Sequence, residues 1–421
     1  MKYYALLIVS LFWLQVVNAQ VDTSMQVNTA RYNSKQQEEK PYVIMISMDG
    51  FRYDYLNKYH ASHLKELSDN GARAEAMIPS YPSLTFPNHY TLVTGLYPSH
   101  HGLVGNSYYD RNFKATYSMK GKTAVEGKWY GGEPLWVLAE KQQMLTASFY
   151  WVGSEADIQH TLPTYYYKYN EKISIHNRIA CVVNWLEQPA DRRPHLITFY
   201  FPEVDHQSHH FGPDSKETAD AVHFVDSAIY QLTEAVKKTG LKVNYVVVSD
   251  HGMTAIDREH KLPEPSLTRD TTKFINLDEG VIMQLYAKDP AYIKPAYEKL
   301  KAEAKDYDVY LKQDVPAHLH YGAKDDRYNR IGDIVLIPKW PKVFYWGKGE
   351  LNMGAHGYDP ITVKEMRAVF MAWGPDIKKG ITVHPFPNVD VYPVVQKILQ
   401  LQNPPQIDGT DELAKQILIK K

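Results

Sequence analysis

Aspartate and histidine residues recur in this chain at the downstream ends of apolar runs, and one further histidine lies between glycines. These residues are Asp49, Asp205, His209, Asp250, His251 and His356. If three carboxylates and three imidazoles converge, a cation must neutralise them, because burying isolated charges is costly. Carboxylate and imidazole groups are common ligands of divalent metals. The residue types therefore predict a metal centre.

The individual patterns differ in how strongly they predict metal binding. Asp205 and His209 are four residues apart, which suits either one helix face or a tight loop; the proline before them and the Gly-Pro after them favour the loop. A surface hydrogen bond between the two side chains explains this pair equally well. Asp250 and His251 directly follow a Val-Val-Val-Ser run and need partners, so they are more specific. A lone histidine such as His356 is more often structural.

The segment PSYPSLTFPNHY, residues 79–90, carries hydroxyl groups in a proline-constrained loop that opens a predicted helix at Pro87. Thr85 would lie at the helix N-terminus, where the dipole and free N–H groups favour an oxyanion. An N-capping role is the ordinary alternative. Next to a metal centre, however, the Thr85 hydroxyl could ionise and act as a nucleophile. Asn106 follows in a turn that could direct its amide at a phosphate oxygen.

Alternating strands and helices must position these residues. Short β-branched runs end at Asp49, shortly before Asp205 and at Asp250, as buried strands of a parallel sheet do. Helices are predicted at 61–71, 87–95, 219–238, 294–305 and 391–400, and a strand at 367–373. This order predicts an α/β fold with a mostly parallel central sheet and helices on both faces. Ligands bind at the carboxyl ends of the strands in such sheets.

The chain divides into three expected segments. Residues 1–19 have the lysine, the apolar stretch and the small-residue spacing of a signal peptide, 20–40 form a polar, flexible lead-in, and 41–421 form one catalytic domain. Inserted lid or subdomain segments are expected at about 106–170 and 261–350. An uncleaved anchor is the alternative for residues 1–19, but the stretch is short against the roughly 20 apolar residues that span a bilayer. We therefore expect a periplasmic or secreted protein, without stable membrane insertion after cleavage.

Composition limits the classes of partner. Lys and Arg total 47 against 48 Asp and Glu, for a net charge of −1, so no global field attracts nucleic acid or an anionic membrane. We expect no sequence-specific nucleic acid partner. The single cysteine, Cys181, excludes an intramolecular disulfide and is expected on a buried helix face. An exported chain of this size without disulfides suits a bacterial periplasm.

Several motifs together resemble the nucleotide pyrophosphatase/phosphodiesterase family of the alkaline phosphatase superfamily, in its bacterial type. They are MDGFRYDY, PSYPSLTFPNHYTLVTGLYPSHHGLVGN, FYWVGSEA, FPEVDHQSHHFGP, VVVSDHGM and GAHGYD, in family order between about residues 41 and 375. The resemblance implies an alkaline phosphatase-like fold and two zinc ions. A phosphodiesterase that handles nucleotides is the activity it implies.

The resemblance also implies roles for individual residues. Asp205, His209 and His356 would hold one zinc. Asp49, Asp250 and His251 would hold the other, with Thr85 as a further ligand and the catalytic nucleophile. Asn106 would bind a phosphate oxygen. The implied reaction hydrolyses nucleotide phosphodiester and pyrophosphate bonds through a phosphothreonine and releases nucleoside 5′-monophosphate.

Substrate preference is less constrained by the sequence. The segment FYWVGSEA contains no lysine or arginine for the extra charge of a phosphate monoester, which favours a diester. By resemblance, Phe86 and Tyr166 would sandwich a nucleobase, with Trp151 and Met119 along the wall; ordinary loop packing is the alternative for the tyrosines. The open alternatives for the whole chain are a lipid-headgroup diesterase of the glycerophosphocholine type, a phosphomonoesterase, and a non-catalytic binding protein.

Overall fold

The computed structural model describes residues 24–420. The signal peptide expected at residues 1–19 lies outside this range. The strands are β1 Met25–Val27, β2 Tyr42–Met48, β3 Ala72–Ala74, β4 Met77–Ile78, β5 Ser107–Asp110, β6 Ala115–Ser118, β7 Thr146–Phe149, β8 Tyr165–Tyr167, β9 Leu196–Phe201, β10 Val243–Val248, β11 Thr254–Ala255, β12 Phe274–Asp278, β13 Met283–Ala287, β14 Tyr307–Leu311, β15 Ile334–Pro338, β16 Gly354–Ala355, β17 Phe370–Trp373, β18 Ile381–Val383 and β19 Phe386–Pro387.

Helices cover both faces of the sheet, at positions close to the predicted ones. They are α1 Lys35–Glu38, α2 Tyr55–Lys58, α3 Ser62–Asp69, α4 Thr85–Thr94, α5 Pro98–His101, α6 Leu135–Lys141, α7 Ile175–Leu186, α8 Glu203–Phe211, α9 Lys216–Lys237, α10 Ile293–Glu303, α11 Val391–Leu399 and α12 Glu412–Ile417. Between residues 24 and 420, no helix is long and apolar enough to cross a membrane.

The central sheet has the strand order β1-β8-β7-β9-β2-β10-β17-β3-β18. Neighbouring strands from β8 to β10 are parallel, whereas β17 is antiparallel to both of its neighbours. Along β2, Val43 and Met45 pack into the core under α4, α6 and α11, while Ile44 and Ile46 pack into the core under α3, α7 and α9. This alternation buries both faces of the sheet and confirms the predicted α/β architecture.

The N-terminal segment is folded against the domain. β1 pairs antiparallel with β8, and the amide of the buried Asn33 donates to the carbonyl oxygens of Ala190 (2.8 Å) and Arg193 (2.7 Å). The prediction of a flexible lead-in is therefore wrong for residues 24–40. Polar composition suggested flexibility, but the pairing partner lies about 140 residues away and leaves no local signal.

The two segments expected to be insertions differ in how they fold. Residues 106–170 contribute β7 and β8 to the central sheet, so only the part before β7 can form an insertion; these strands have four and three residues, too few to show periodicity. Residues 261–350 contain a separate antiparallel sheet, β12-β13-β15-β14, which packs against α10. That segment has the organisation of a small subdomain.

Candidate metal centre

Strand ends place the first two carboxylates side by side. β2 and β10 are parallel, with Val248 opposite Ser47, so both strands stop at the same edge of the sheet. Asp49 follows β2 and Asp250 follows β10, and each is at most 1% exposed. The sequence prediction that these residues meet at the carboxyl ends of parallel strands is confirmed.

The third carboxylate comes from a helix rather than from a loop. Asp205 and His209 lie one turn apart on α8, with His209 Nε2 3.4 Å from Asp205 Oδ1. The prediction of a loop here is wrong, because Pro202 and Gly212 form the N-cap and C-cap positions of the helix and do not interrupt it. At Gly50 (φ +69°), an added Cβ would lie 2.9 Å from Asp205 Cα, so glycine is what lets α8 approach the end of β2.

All three imidazoles are oriented by backbone carbonyl groups. In each ring Nδ1–H donates to a carbonyl oxygen, which leaves the Nε2 lone pair as the free donor atom for a metal. The bonds run from His209 to Gly354 (2.9 Å), from His251 to Gly252 (2.8 Å) and from His356 to Ser83 (2.8 Å). This arrangement is typical of histidines that ligate metals.

The carboxylates carry buried oxygens without hydrogen-bond partners. These atoms are Asp49 Oδ1, Asp205 Oδ1 and Asp250 Oδ2. His251 Nε2 lies 2.9 Å from Asp250 Oδ2 and 3.4 Å from Asp49 Oδ1, in poor hydrogen-bond geometry. When His251 is neutral, with its proton on Nδ1, lone pairs face lone pairs across these distances. A cation between them would satisfy all of these atoms, so the residues fit a metal.

Two groups of three residues have donor atoms within 4.8 Å of one another. One group is Asp49, Asp250 and His251, and the other is Asp205, His251 and His356. His251 belongs to both groups and stacks on His356 with ring centroids 3.5 Å apart. All six residues predicted from the sequence are therefore brought together, with His209 beside Asp205.

Burial and crowding shift the pKa values of the centre in opposite directions. Burial, reinforced by Asp250 and Asp205, holds the pKa of Asp49 well above its ordinary value. Burial also acts to raise the pKa of Asp250, but His251 and His89 outweigh it and hold that pKa well below the usual range. Without a metal, these shifts favour a neutral carboxyl group at Asp49.

Thr85 is the first residue of α4, and its hydroxyl is not used as a helix cap. Leu84 occupies the N-cap position, and Thr85 Oγ1 lies 3.2 Å from His251 Nε2. The next residue, Phe86, donates its N–H to Asn106 Oδ1 at 3.0 Å. That bond assigns the amide orientation of Asn106 and leaves its Nδ2 group available as a donor. A hydroxyl, a helix N-terminus and an amide donor thus adjoin the Asp/His cluster.

A cavity of about 910 Å³ opens over this cluster, and its wall includes Thr85, Asn106 and Met119. Phe86 is half-buried next to Thr85. Trp151 is 2% exposed and lies beneath the site, where its Nε1 donates to the His89 carbonyl at 3.1 Å. The structure therefore does not place Trp151 in the cavity wall.

Tyr166 lies away from this cavity. It pairs with Gln26 across the β8–β1 edge and lines a different pocket, together with Arg31. Tyr169, beyond the end of β8, is 46% exposed, and its ring lies 6.1 Å from Tyr200. The Tyr200 hydroxyl donates to Asp49 Oδ2 at 2.6 Å, which places Tyr169 near the cluster. The signal for Tyr169 was its position past the carboxyl end of the strand.

His89 was not predicted from the sequence as a site residue, and it packs beneath the candidate metal centre. It is fully buried, with Nε2 2.8 Å from Ser47 Oγ and Nδ1 3.0 Å from the Thr85 carbonyl oxygen. Nδ1 also lies 3.2 Å from Asp250 Oδ2. Its place in the TFPNH motif, one helical turn after Thr85, was the available signal.

The fold is α/β and alkaline phosphatase-like, with a threonine at a helix N-terminus facing a cluster of aspartates and histidines. Residues 43–359 match the family described as type I phosphodiesterase / nucleotide pyrophosphatase, and the chain belongs to this family. The resemblance stated from the motifs is thereby confirmed.

Relatives are found among animal enzymes. Ectonucleotide pyrophosphatase/phosphodiesterase family member 1 from Homo sapiens is 33% identical over 385 residues, covering 88% of this chain and 41% of that protein. Venom phosphodiesterase 2 from Crotalus adamanteus is 32% identical over 398 residues, covering 89% and 47%. The chain thus spans less than half the length of these curated relatives.

Solved structures agree with this placement. Murine ectonucleotide pyrophosphatase / phosphodiesterase 5 superposes with a TM-score of 0.83 and 28% identity, covering 90% of this chain and 100% of that one. The same murine protein is known as an inactive threonine-to-alanine variant in complex with AMP, with a TM-score of 0.83 and 27% identity.

Proposed function

We propose that this chain is an exported, two-zinc phosphodiesterase and nucleotide pyrophosphatase that uses Thr85 as its nucleophile. It hydrolyses phosphodiester and pyrophosphate bonds of nucleotides and releases nucleoside 5′-monophosphates. The observation that carries the proposal is Thr85 Oγ1 at a helix N-terminus, 3.2 Å from Nε2 of His251, the residue that both candidate metal groups share. The activities named for the relatives, and the AMP complex of the murine protein, support the same substrate class.

Each zinc has a proposed ligand set. Asp205, His209 and His356 hold one ion; Asp49, Asp250, His251 and Thr85 hold the other. The unpartnered carboxylate oxygens and the fixed Nε2 lone pairs support metal binding by these residues, and the division between two ions follows the family resemblance. When bound, two zinc ions supply Lewis-acid stabilisation of the attacking and leaving oxygens and favour the ionised form of the nucleophile.

The proposed reaction has two displacements at phosphorus, which form and then hydrolyse a phosphothreonine. In the first, the Thr85 hydroxyl gives up its proton and Oγ forms a bond to phosphorus while the bond to the leaving oxygen breaks, and the leaving alcohol or phosphate takes up a proton. In the second, water attacks phosphorus and gives up a proton, the bond to Thr85 Oγ breaks, the Thr85 hydroxyl is reprotonated, and nucleoside monophosphate is released. Asn106 Nδ2 and the N-terminus of α4 donate to the non-bridging oxygens, where charge accumulates.

Aromatic side chains near Thr85 provide the proposed site for the base. Phe86 follows the nucleophile directly, and Met119 lies in the cavity wall. Tyr169 takes the place that the sequence analysis gave to Tyr166, because Tyr169 is the tyrosine near Asp49 and has an exposed ring. Stacking on such rings tolerates any base.

A second candidate substrate is a diester with a cationic headgroup, such as glycerophosphocholine. The cavity wall also contains Glu350 and Tyr345, and a carboxylate next to an aromatic ring can hold a quaternary ammonium group. Export to the periplasm or the outside remains part of the proposal and rests on the composition of residues 1–19.

The proposal is tested by assaying purified protein on p-nitrophenyl thymidine-monophosphate, p-nitrophenyl phosphate and p-nitrophenyl phosphorylcholine, with zinc and with a chelator. We expect the nucleotide diester to be hydrolysed fastest and the chelator to abolish turnover. Faster hydrolysis of p-nitrophenyl phosphorylcholine would favour the diester with a cationic headgroup as the substrate. If none of the three substrates is hydrolysed in the presence of zinc, the proposal that the protein is an enzyme is contradicted.

The nucleophile is tested by Thr85→Ala, with Thr85→Ser as the matched control that keeps a hydroxyl group. Thr85→Ala should lose turnover while its zinc content, measured by atomic emission, stays near that of the wild type. Thr85→Ser should retain measurable activity. Rapid acid quenching should trap a phosphate on residue 85 of the wild type, detectable by mass spectrometry. Unchanged turnover in Thr85→Ala would contradict the mechanism.

A further inference from the structure

Glu279 connects the antiparallel subdomain to the loop that carries Asn106. It lies in the turn between β12 and β13, and its Oε1 atom accepts the N–H of Ser107 at 2.9 Å. Glu279 itself is tied into the turn, since its N–H donates to the Ile282 carbonyl at 3.0 Å. A side chain of one sheet therefore holds the backbone of a loop that belongs to the other part of the domain.

Asn106 is fixed by contacts on its remaining sides. Its Oδ1 accepts from the N–H of Phe86 at 3.0 Å, and its carbonyl oxygen accepts from the N–H of Met119 at 2.9 Å. The bond from Ser107 to Glu279 fixes the following peptide. With its backbone and its Oδ1 atom occupied, Asn106 presents Nδ2 to the cavity beside Thr85.

Glu279 lines the cavity, but its Oε2 side is tightly packed. A Cβ added at Gly105 would lie 2.5 Å from Glu279 Oε2, so the carboxyl group packs directly against the backbone before Asn106. Oε2 is buried and has no hydrogen-bond partner. Burial raises the pKa of Glu279 to about 8, although the N–H groups of Ser107 and Asn106 lower it. At neutral pH the group is therefore mostly an uncharged acceptor, which a glutamine can replace.

We propose that Glu279 is a positioning residue for phosphate binding: it holds the 105–107 backbone so that the Asn106 amide meets the phosphate oxygen in the transition state. This inference rests on the proposed function. In this proposal the subdomain contributes to catalysis through Glu279. Glu279 acts only through Asn106 and need not touch the substrate. The carboxyl group serves as a geometric anchor, and its charge is not required.

Three variants measured on p-nitrophenyl thymidine-monophosphate test the inference. Loss of one such donor costs about 10²–10³-fold in turnover in other enzymes, which sets the expected loss for Asn106→Ala. Glu279→Ala, which only loosens that donor, should lower kcat/KM by about 10-fold or more. Glu279→Gln keeps an acceptor for Ser107 and should stay within about 3-fold of the wild type, since a neutral amide makes the same bond.

The double variant Glu279→Ala/Asn106→Ala separates positioning from a general structural effect. If Glu279 acts through Asn106, the double variant should be no slower than Asn106→Ala alone, because residues that act as a unit are not additive. If the two losses multiply, the inference is overturned. Glu303→Ala is the matched control: in the same subdomain, Glu303 Oε1 accepts the Ser266 N–H at 3.1 Å, away from the cavity, and its loss should leave kcat/KM unchanged.

Gly105→Ala provides an independent test that leaves Glu279 in place. The added methyl group should displace the flexible carboxyl group and reproduce the loss seen in Glu279→Ala, with no further loss when the two are combined. Full activity of Gly105→Ala and of Glu279→Ala, in a wild type that hydrolyses the substrate, would overturn the inference alone. An inactive wild type in zinc would instead overturn the proposed function.

Discussion

Replacing Asp49 by asparagine should stabilise the metal-free protein while it destroys the metal centre. Asp49 Oδ1 is buried without a hydrogen-bond partner and lies 3.4 Å from His251 Nε2. An asparagine can keep accepting from Tyr200 through its oxygen and place an N–H group in front of Asp250 and His251. Where the Asp49 carboxyl group is ionised, one unsatisfied acceptor is thereby exchanged for a donor among acceptors.

The expected gain follows from the cost of an unsatisfied buried polar group, about 1–3 kcal/mol. A change of 1 kcal/mol moves Tm by about 2–4 °C in a domain of roughly 200 residues, and by less in a larger chain. At a pH high enough to ionise Asp49, Asp49→Asn should therefore raise the Tm of chelator-treated protein by about 1–6 °C. In zinc the same variant should lose its metal and at least about 10²-fold of its turnover, because a direct ligand is removed.

The gain should also depend on pH. Since the folded-state pKa of Asp49 lies well above the value near 4 in the unfolded chain, the folded protein binds a proton more tightly. Its contribution to stability is complete below about pH 4 and is lost as pH rises through the folded-state pKa. Asparagine does not ionise, so the variant does not lose this stability as pH rises. The difference in Tm between the variant and the wild type should therefore grow as pH rises from about 4.

Differential scanning fluorimetry of chelator-treated proteins, with activity in zinc as the second readout, measures both effects. Asp226→Asn is the control, because Asp226 is a buried aspartate whose oxygens accept the N–H groups of Leu64 (2.7 Å) and His63 (3.3 Å). It should lower Tm with and without zinc. A lower Tm for metal-free Asp49→Asn would show that the unpartnered Asp49 carboxyl group does not destabilise the folded protein, which would contradict this prediction.

Further predictions concern substrate binding, the core and the metal. Tyr169→Ala should raise KM for the nucleotide substrate about 5- to 150-fold, as loss of about 1–3 kcal/mol of stacking implies, while Tyr166→Ala should not. The reverse pattern in steady-state kinetics would contradict the revised base site. Arg330→Met should cost about 3–5 kcal/mol in urea unfolding, because it leaves the buried Asp110 carboxylate without the Arg330 Nε at 2.7 Å; a loss below about 1 kcal/mol would contradict this. Zinc at 100 times its Kd should stabilise the folded protein by about 2.7 kcal/mol per site, seen as a higher Tm that a chelator reverses, and an unchanged Tm would argue against tight zinc binding.

Strand-end chemistry was the part of the site that the sequence predicted well. Buried parallel strands have a strong sequence pattern, which is an apolar, β-branched run followed directly by a charged residue. Asp49 and Asp250 both lie at the end of such a run. Parallel topology then brings the two residues together whatever the intervening chain does. The helix from Thr85 to Thr94 was equally predictable, because Pro87 and Gly95 mark its first turn and its end.

Other features depend on contacts between distant segments and could not be predicted. The choice between helix and loop at Asp205 depends on how closely α8 packs against Gly50, and the flanking proline and glycine are compatible with both outcomes. Tyr166 and Tyr169 are three residues apart in a tyrosine-rich segment, and the end of β8 decides which of them faces the cluster. The bond from Glu279 to Ser107 joins residues 172 apart.

The carbonyl groups that orient the three imidazoles have a consequence for how this centre can change. All three anchors belong to the peptide backbone, at Ser83, Gly252 and Gly354, so no neighbouring side chain has to be kept in order to set the ring angles. Substitutions at the other wall residues of the cavity can therefore alter which molecules fit without changing how the candidate ligands are oriented. For an engineer, libraries of variants can be directed at the wall residues other than Thr85, Asp205, His209 and His356 while the cluster is held constant.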